Sequence, residues 1–428
     1  MTFCRVNSSL EAAPTRKRRL RGADTTSEVM RFLFLHNNFP GQFKNLAPAF
    51  AKRPGWSAAA IGGPTSRALP DIPLVKTTSR RPRSGHPFAS EFESDVARAE
   101  QAMYAAASLR SEGFAPDVVI GHSGWGLMLP MREIFPKARI VSYCEWYYGA
   151  GGADIGFDPE FPAPTLDSRI RLRARNAGIA LGALEADVRV SPTYWQRKQF
   201  PEAMRRRIHV AHDGVDPAPL DAAPPRFALP DGETVLPGEE IVTFVTRSLE
   251  PYRGFHIFCR ALRRILARRP TARALIVGND GVSYGMQSQM GGWRKQMRSE
   301  LGDAVDWRRV HFLGRVPYKS FCSLLKVSSA HVYLTYPFVL SWSLIEALMA
   351  GCLVVASDTD PVREVIRDGE NGVLTPFFDV ESLADRVIEA LADPARHDAR
   401  RATARRLARR DFDFATVAEP AWRELALG

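Results

Sequence analysis

IVTFVTRSLEPYRGF, residues 241–255, begins as a strand and ends in the first turn of a helix. IVTFVT is apolar or β-branched throughout, as a strand buried on both faces requires. The loop after it closes at Gly254, and an amphipathic stretch opens near Phe255. Downstream the alternation continues: strands are read at 272–278, 309–314, 331–336 and 352–357, and helices at about 255–268, 318–328, 342–350 and 361–367. Upstream, strands are read at 31–36, 56–62, 117–121, 138–144, 187–191 and 208–212, between helical segments at 41–53, 90–113 and 165–186. Strand and helix in turn give parallel sheets covered on both faces. The expected fold is therefore α/β, two Rossmann-like doubly wound domains facing across a cleft, where ligands of open α/β sheets bind.

The domain reading follows from that pattern. Residues 1–29, with TRKRRLRG and no apolar core of a secretory signal, are expected to form a disordered basic leader, and Met30 is a candidate true start. Residues 30–216 make the first domain, 217–238 a linker rich in Pro, Ala and Asp, and 239–395 the second domain. The helical, Arg-rich end at 396–428 is placed where it can pack back on the first domain.

Composition narrows the class further. A chain of 428 residues exceeds one ordinary core, and 45% hydrophobic with 25% charged residues excludes wholesale disorder, collagen and coiled coil. No run of eighteen apolar residues occurs, so no spanning helix is expected. The net charge is +11, and of 58 Lys and Arg only 9 are Lys. That balance suits either a solvated Arg-rich surface or attraction to phosphate on a nucleotide or an anionic membrane. Nucleic acid is disfavoured because no binding motif accompanies the charge. Cys4, Cys144, Cys259, Cys322 and Cys352 are scattered and form no CxxC, which points to a reducing cytoplasm, with a peripheral place at the inner face of the membrane kept open.

Two clusters carry candidate chemistry. Arg247 and Arg253 lie six residues apart before a helix start, where forked guanidinium donors and the helix dipole can converge on a diphosphate. In YPFVLSWSLIEALMAG (336–351), a helix starting near Ser341 offers N–H groups and the hydroxyls of Ser341 and Ser343 to phosphate. Glu346 stands in that apolar helix and needs a partner, such as vicinal sugar hydroxyls. Asp358 and Asp360 spell DxD, a weak signal for a divalent metal.

These residues, with LIVG (275–278), HFLGRVPY (311–318), EALMAGCLVVASD (346–358) and REVIRDGENGVL (363–374), resemble the retaining glycosyltransferases of family 4, which have the GT-B fold. FPGQF (39–43), DVVIGHSGWG (117–126) and HDGVD (212–216) extend the resemblance to the first half. More narrowly, EWYYGAGGADIGFDPEF, SLEPYRGFHIF and LTYPFVLSWSLIEA resemble a bacterial branch of predicted glycosyltransferases.

The resemblance implies a first domain on the acceptor side and a second that binds a nucleotide sugar. Arg247, Arg253, Gly254, Ser341, Trp342 and Glu346 would hold the donor, with Glu346 on the ribose hydroxyls. His122 and Glu145 are the catalytic candidates, and Gly41 belongs to an acceptor-side loop. Gly149, Gly151 and Gly152 would let their loop approach a ligand. Neither a metal nor another cofactor is expected. One departure matters: the first Glu of the family's E-x7-E signature falls at position 338, where Phe338 stands. The implied activity is transfer of a sugar from a nucleoside diphosphate to a glycan or lipid-linked acceptor with retention, in envelope or exopolysaccharide synthesis. The alternatives are a nucleotide-sugar epimerase of the same fold and a catalytically silent glycan- or partner-binding relative.

Overall fold

The structure, a computed structural model, describes residues 29–78, 85–149, 151 and 153–428. Residues 1–28 of the expected leader, with Cys4, lie outside this range, as does Gly152.

The first sheet contains β1 (Met30–His36), β2 (Trp56–Gly62), β3 (Leu74–Lys76), β4 (Val118–His122), β5 (Arg139–Tyr143), β6 (Val188–Ser191) and β7 (Ile208–Val210). Their spatial order is 3-2-1-4-5-6-7, and every pairing is parallel. Alternation along β1 explains why it can be buried on both faces. Phe32 and Phe34 pack on one side with Phe50, and Leu33 and Leu35 on the other with Ala102 and Ala106 of α1 (Ser90–Ser111).

A short ribbon of β8 (Phe227–Ala228) and β9 (Thr234–Val235) precedes the second sheet, made of β10 (Ile241–Ser248), β11 (Arg273–Asn279), β12 (Val310–Gly314), β13 (Ala330–Tyr333), β14 (Val354–Ser357) and β15 (Val373–Thr375). Its order, 12-11-10-13-14-15, repeats the topology of the first. In both sheets the strand order reverses beside the first strand, at β1/β4 and at β10/β13, and such switch points are where open α/β sheets bind ligands. The two-domain α/β expectation is thus met.

The stretch 217–238, expected to be a linker, is folded: Phe227, Leu229 and Val235 are buried against Ile241, Leu275 and Val277. The end of the chain crosses between the sheets. Arg405 and Arg409 of α5 (Asp398–Phe412) bind Asp221, and α6 (Glu419–Leu427) inserts Trp422 beside Phe43 and Tyr143 of the first domain. At the crossing, Val215 N–H donates to Phe412 O at 2.8 Å and Phe414 N–H to Val215 O at 2.9 Å.

A strap leaves the first domain after β5 and lies on the second. Tyr252 OH donates to Asp154 (2.6 Å), Tyr336 OH to Asp158 (2.6 Å), His256 Nε2 sits 3.0 Å from Asp158, and Arg260 grips Glu160 through two nitrogens. Phe157 and Phe161 pack beside them on Phe377 and Trp293. Asp158, Glu160 and His256 are close enough to hold a cation, but Arg260 and Tyr336 already take up Glu160 and Asp158. Among the described residues no helix is long and apolar enough to cross a membrane.

Candidate functional site

The carboxyl ends of both sheets open on one cavity of about 730 Å³. Arg247, Arg253, Ser341, Trp342 and Glu346 line it from the second domain, and Gly41 and Glu145 from the first. Donor and acceptor-side candidates separated by up to 305 positions therefore meet in one space.

Arg253 is 8% exposed. Its Nη1 donates to Thr335 Oγ1 (2.8 Å) and to Val339 O (3.0 Å), which aims the group without neutralising it. Arg247 is exposed on the wall and has no hydrogen bond or ion pair among the described residues. Ser341 caps α4 (Trp342–Ala350) by accepting from Ser343 N–H, which sets that helix start at the cavity. Glu346 accepts from Tyr318 OH (3.0 Å) and lies 3.9 Å from Lys44; burial raises its carboxyl, and Lys44 and Tyr318 lower it in part. Gly254 does not line the cavity: at φ 68° it packs on Leu334, where a Cβ would come within 2.3 Å of the Leu334 Cβ. Its part is to let the chain turn from loop to α3 (Phe255–Arg268).

The first-domain wall centres on Glu145. His36 Nδ1 accepts Asn38 N–H and His122 Nδ1 accepts Gly124 N–H, each at 2.9 Å, so Nε2 carries the proton in both rings. His36 then donates to Gln42 Oε1 (2.6 Å), Gln42 donates to Glu145 Oε1 (2.5 Å), and His122 donates to Glu145 Oε2 (3.2 Å). Burial raises the Glu145 carboxyl, but His122, His36 and Gln42 together bring it below its ordinary value. Burial and His122 push His36 down to about 3.

His122 needs correcting as a catalytic candidate. It is absent from the cavity wall and stands behind Glu145, packed against Trp125 with ring centroids 4.3 Å apart and the planes tilted by 36°. It holds Glu145 at 3.2 Å, and the Glu145 carboxylate, not the His122 ring, lines the cavity. Gly41, at φ 46°, passes so close to His36 that a Cβ would come within 2.3 Å of the ring. Gly149 and Gly151 have no such close neighbour. Asp358 and Asp360 face Arg363 and do not line the cavity.

Several site residues escaped the sequence reading. His36, Gln42 and Lys44 sit at the end of β1 and in the loop after it. Trp125 lines the cavity at φ 64°, a left-handed conformation a bulky residue adopts only when its surroundings impose it. Glu250, fully buried, accepts N–H groups of Ser283, Tyr284 and Gly285 and fixes that wall. Phe338 lies in an aromatic cluster with Trp146, Tyr252 and Tyr284, at centroid distances of 4.7, 5.4 and 5.0 Å, so the position of the missing Glu is apolar.

Asp213 bridges the domains by accepting from Trp342 Nε1 at 2.8 Å, while Lys44 Nζ lies 4.3 Å from the Trp342 ring. Burial pushes Asp213 up to about 7, with Trp342 opposing and the Glu145 charge adding to the rise. The unfolded chain ionises near the ordinary value of 3.8, so protonated Asp213 stabilises the fold fully below about pH 4. That contribution is lost as pH rises through 7. Asp213→Asn is expected to match the parent below pH 4 and to gain about 1.4 kcal/mol on it per pH unit up to 7. Urea-unfolding free energies from pH 4 to 8 measure this, and a difference independent of pH contradicts it.

Comparison with known proteins supplies the family. Residues 54–219 match the glycosyl transferase family 4 group, and residues 231–407 match the glycosyl transferases group 1. The phosphatidyl-myo-inositol mannosyltransferase of Mycolicibacterium smegmatis is 34% identical over 186 residues, 42% of each chain. The D-inositol 3-phosphate glycosyltransferase of Kribbella flavida is 25% identical over 344 residues, 77% of each chain. The match to the mannosyltransferases thus spans less than half of their length. Among solved structures, HepE of Anabaena in complex with UDP and glucose has a TM-score of 0.64 at 18% identity, covering 93% of this chain and 100% of that one. Sucrose-phosphate synthase from Thermosynechococcus elongatus has a TM-score of 0.66 at 16% identity, over 92% and 99%. The two family matches follow one another along the two parallel-sheet domains, and the chain belongs to the glycosyltransferases of family 4 type, with the GT-B fold.

Proposed function

We propose that the protein transfers a sugar from a nucleoside-diphosphate donor to an acceptor hydroxyl with retention of configuration and without a metal. The observation that carries this reading is the single cavity in which two arginines without a carboxylate partner, a capped helix start and Glu346 face Glu145. Arg247 and Arg253 would bind the diphosphate and stabilise the charge that develops as it leaves. Glu346 would hold the ribose hydroxyls in place of the hydrogen bond from Tyr318. Glu145, held ionised, would accept a hydroxyl hydrogen bond and stabilise positive charge at the reacting carbon. Retention rests on the family, and so does the expectation of a glycan or lipid-linked acceptor met in the cytoplasm, at the inner face of the membrane. The HepE complexes with UDP and UDP-glucose support a nucleotide donor by analogy.

The burial of Phe338 favours one other reading, a silent relative that binds glycan. Calorimetry separates the two. UDP or GDP is expected to bind at micromolar to millimolar concentration, with the transfer then measured unchanged in EDTA. If neither nucleotide binds at millimolar concentration, the transferase reading fails. Turnover abolished by EDTA and restored by manganese or magnesium removes its metal-free part.

A further inference from the structure

A second cavity of about 460 Å³ adjoins the first and shares with it only Arg175 and Tyr284. Much of its wall is apolar, from Ile155, Phe157, Phe161 and Pro164 of the strap, Leu172 of α2 (Leu166–Leu184) and Met286, and the carboxylates of Glu91 and Asp158 line it as well. Arg171 and Arg175, one helical turn apart, line it from α2. Asp154 also lines it, 2% exposed, with Oδ2 bound to Tyr252 and Oδ1 without a side-chain hydrogen-bond partner among the described residues.

The other Arg-rich helices also hold arginines without an ion pair among the described residues, Arg263, Arg268 and Arg406, but those are exposed and line neither cavity. Arg260, Arg264, Arg405 and Arg409 are spent on carboxylates. Arg169, Arg171, Arg173 and Arg175 of α2 make no ion pair within 4 Å among the described residues; Arg171 and Arg175 lie over the rings of Phe88 and Tyr148, and Arg175 also acts at longer range on the carboxyls of Asp95 and Asp154. Guanidinium groups without a direct ion-pair partner beside an apolar trough would be served poorly by a purely apolar ligand. A small polar ligand would leave the aromatic and proline walls in water.

We propose that the second cavity binds the acceptor as an anionic amphiphile. Its apolar chain lies along Phe157, Phe161 and Pro164, and its phosphate meets Arg171 and Arg175. Asp154 Oδ1 takes a hydroxyl of the same head group. Because Arg175 belongs to both cavities, a head group held there stands at the entrance to the donor cavity. This assignment rests on the transferase reading for its role as acceptor, but the binding is testable without turnover.

The test is calorimetry with octyl phosphate below its micellar concentration, against inorganic phosphate and octyl glucoside. Octyl phosphate is expected to bind at least tenfold more tightly than either control. Arg171→Glu and Leu172→Trp, which fills the trough, are each expected to weaken it at least tenfold while UDP affinity stays within twofold. The retained UDP binding reports that each variant is folded. Equal binding of inorganic phosphate, equal binding of octyl glucoside, or unchanged affinity in both variants overturns the proposal. So does binding to phosphatidylglycerol vesicles without binding of monomeric octyl phosphate, which assigns the charge to a membrane surface. Failure of UDP to bind the parent protein removes the transferase reading alone; UDP binding without octyl phosphate binding removes this proposal alone.

Discussion

Arg253→Ala is expected to weaken UDP or GDP binding at least a hundredfold while the fold survives. The guanidinium is buried, and its protein partners are one hydroxyl and one carbonyl at good distance, both on Nη1. Nε and Nη2 have no hydrogen-bond partner among the described residues, so a fork of donors is left for a bound anion. Charge-assisted hydrogen bonds are worth roughly 1.5–3 kcal/mol each, and a hundredfold loss corresponds to about 2.8 kcal/mol. Arg253→Lys keeps the charge and loses the fork, so it should fall between the two. Calorimetry with UDP and with uridine checks the assignment: the loss should vanish for uridine, which has no diphosphate. A UDP affinity within threefold of the parent's removes Arg253 from the donor site.

Glu145→Gln is expected to lower turnover by about 10²–10³ with donor affinity nearly unchanged, the size of effect seen when one preorganised electrostatic group is removed. Both Glu145 oxygens accept hydrogen bonds, from Gln42 and His122, and an amide would set its own N–H₂ against one of those donors. With Glu145 below its ordinary value and His36 down at about 3, neither changes charge above pH 5. The rate should therefore show no acid limb from this pair between pH 5 and 8. The assay uses the nucleotide sugar that a thermal-shift screen selects. Turnover of Glu145→Gln within threefold of the parent's places the reacting centre elsewhere.

The long strands were legible because their apolar runs end at clear breaks. WSAAAIG stops at Gly62-Gly63-Pro64, and β2 has those same bounds. Three-residue strands such as β3 and β15 carry no run long enough to show a period, and both were missed. The ribbon in 217–238 was hidden for a related reason: Pro and Ala dilute the three buried residues, Phe227, Leu229 and Val235, that hold it in place. In the site, Glu346 stood out as a charge within an apolar helix, and Arg253 as one of two arginines just before a helix start. His36 and Gln42 were visible only as parts of RFLFLH and FPGQF. Their signal was position, at the carboxyl end of the strand beside the switch point, and that could have singled them out. Asp213 and Trp342 lie 129 positions apart, and only folding reveals that they meet.

The tie between the halves is of two kinds, and this sets how they can move. At Val215 and Phe412–Phe414 it is backbone bound to backbone, and it carries the continuity of the chain in both directions. At the strap it is a row of side chains, Asp154, Asp158 and Glu160, each holding a separate partner. Rocking of one sheet against the other would hinge at the former and be resisted stepwise at the latter. The acidic row would then act as a clasp, since widening the cleft requires those three contacts to break.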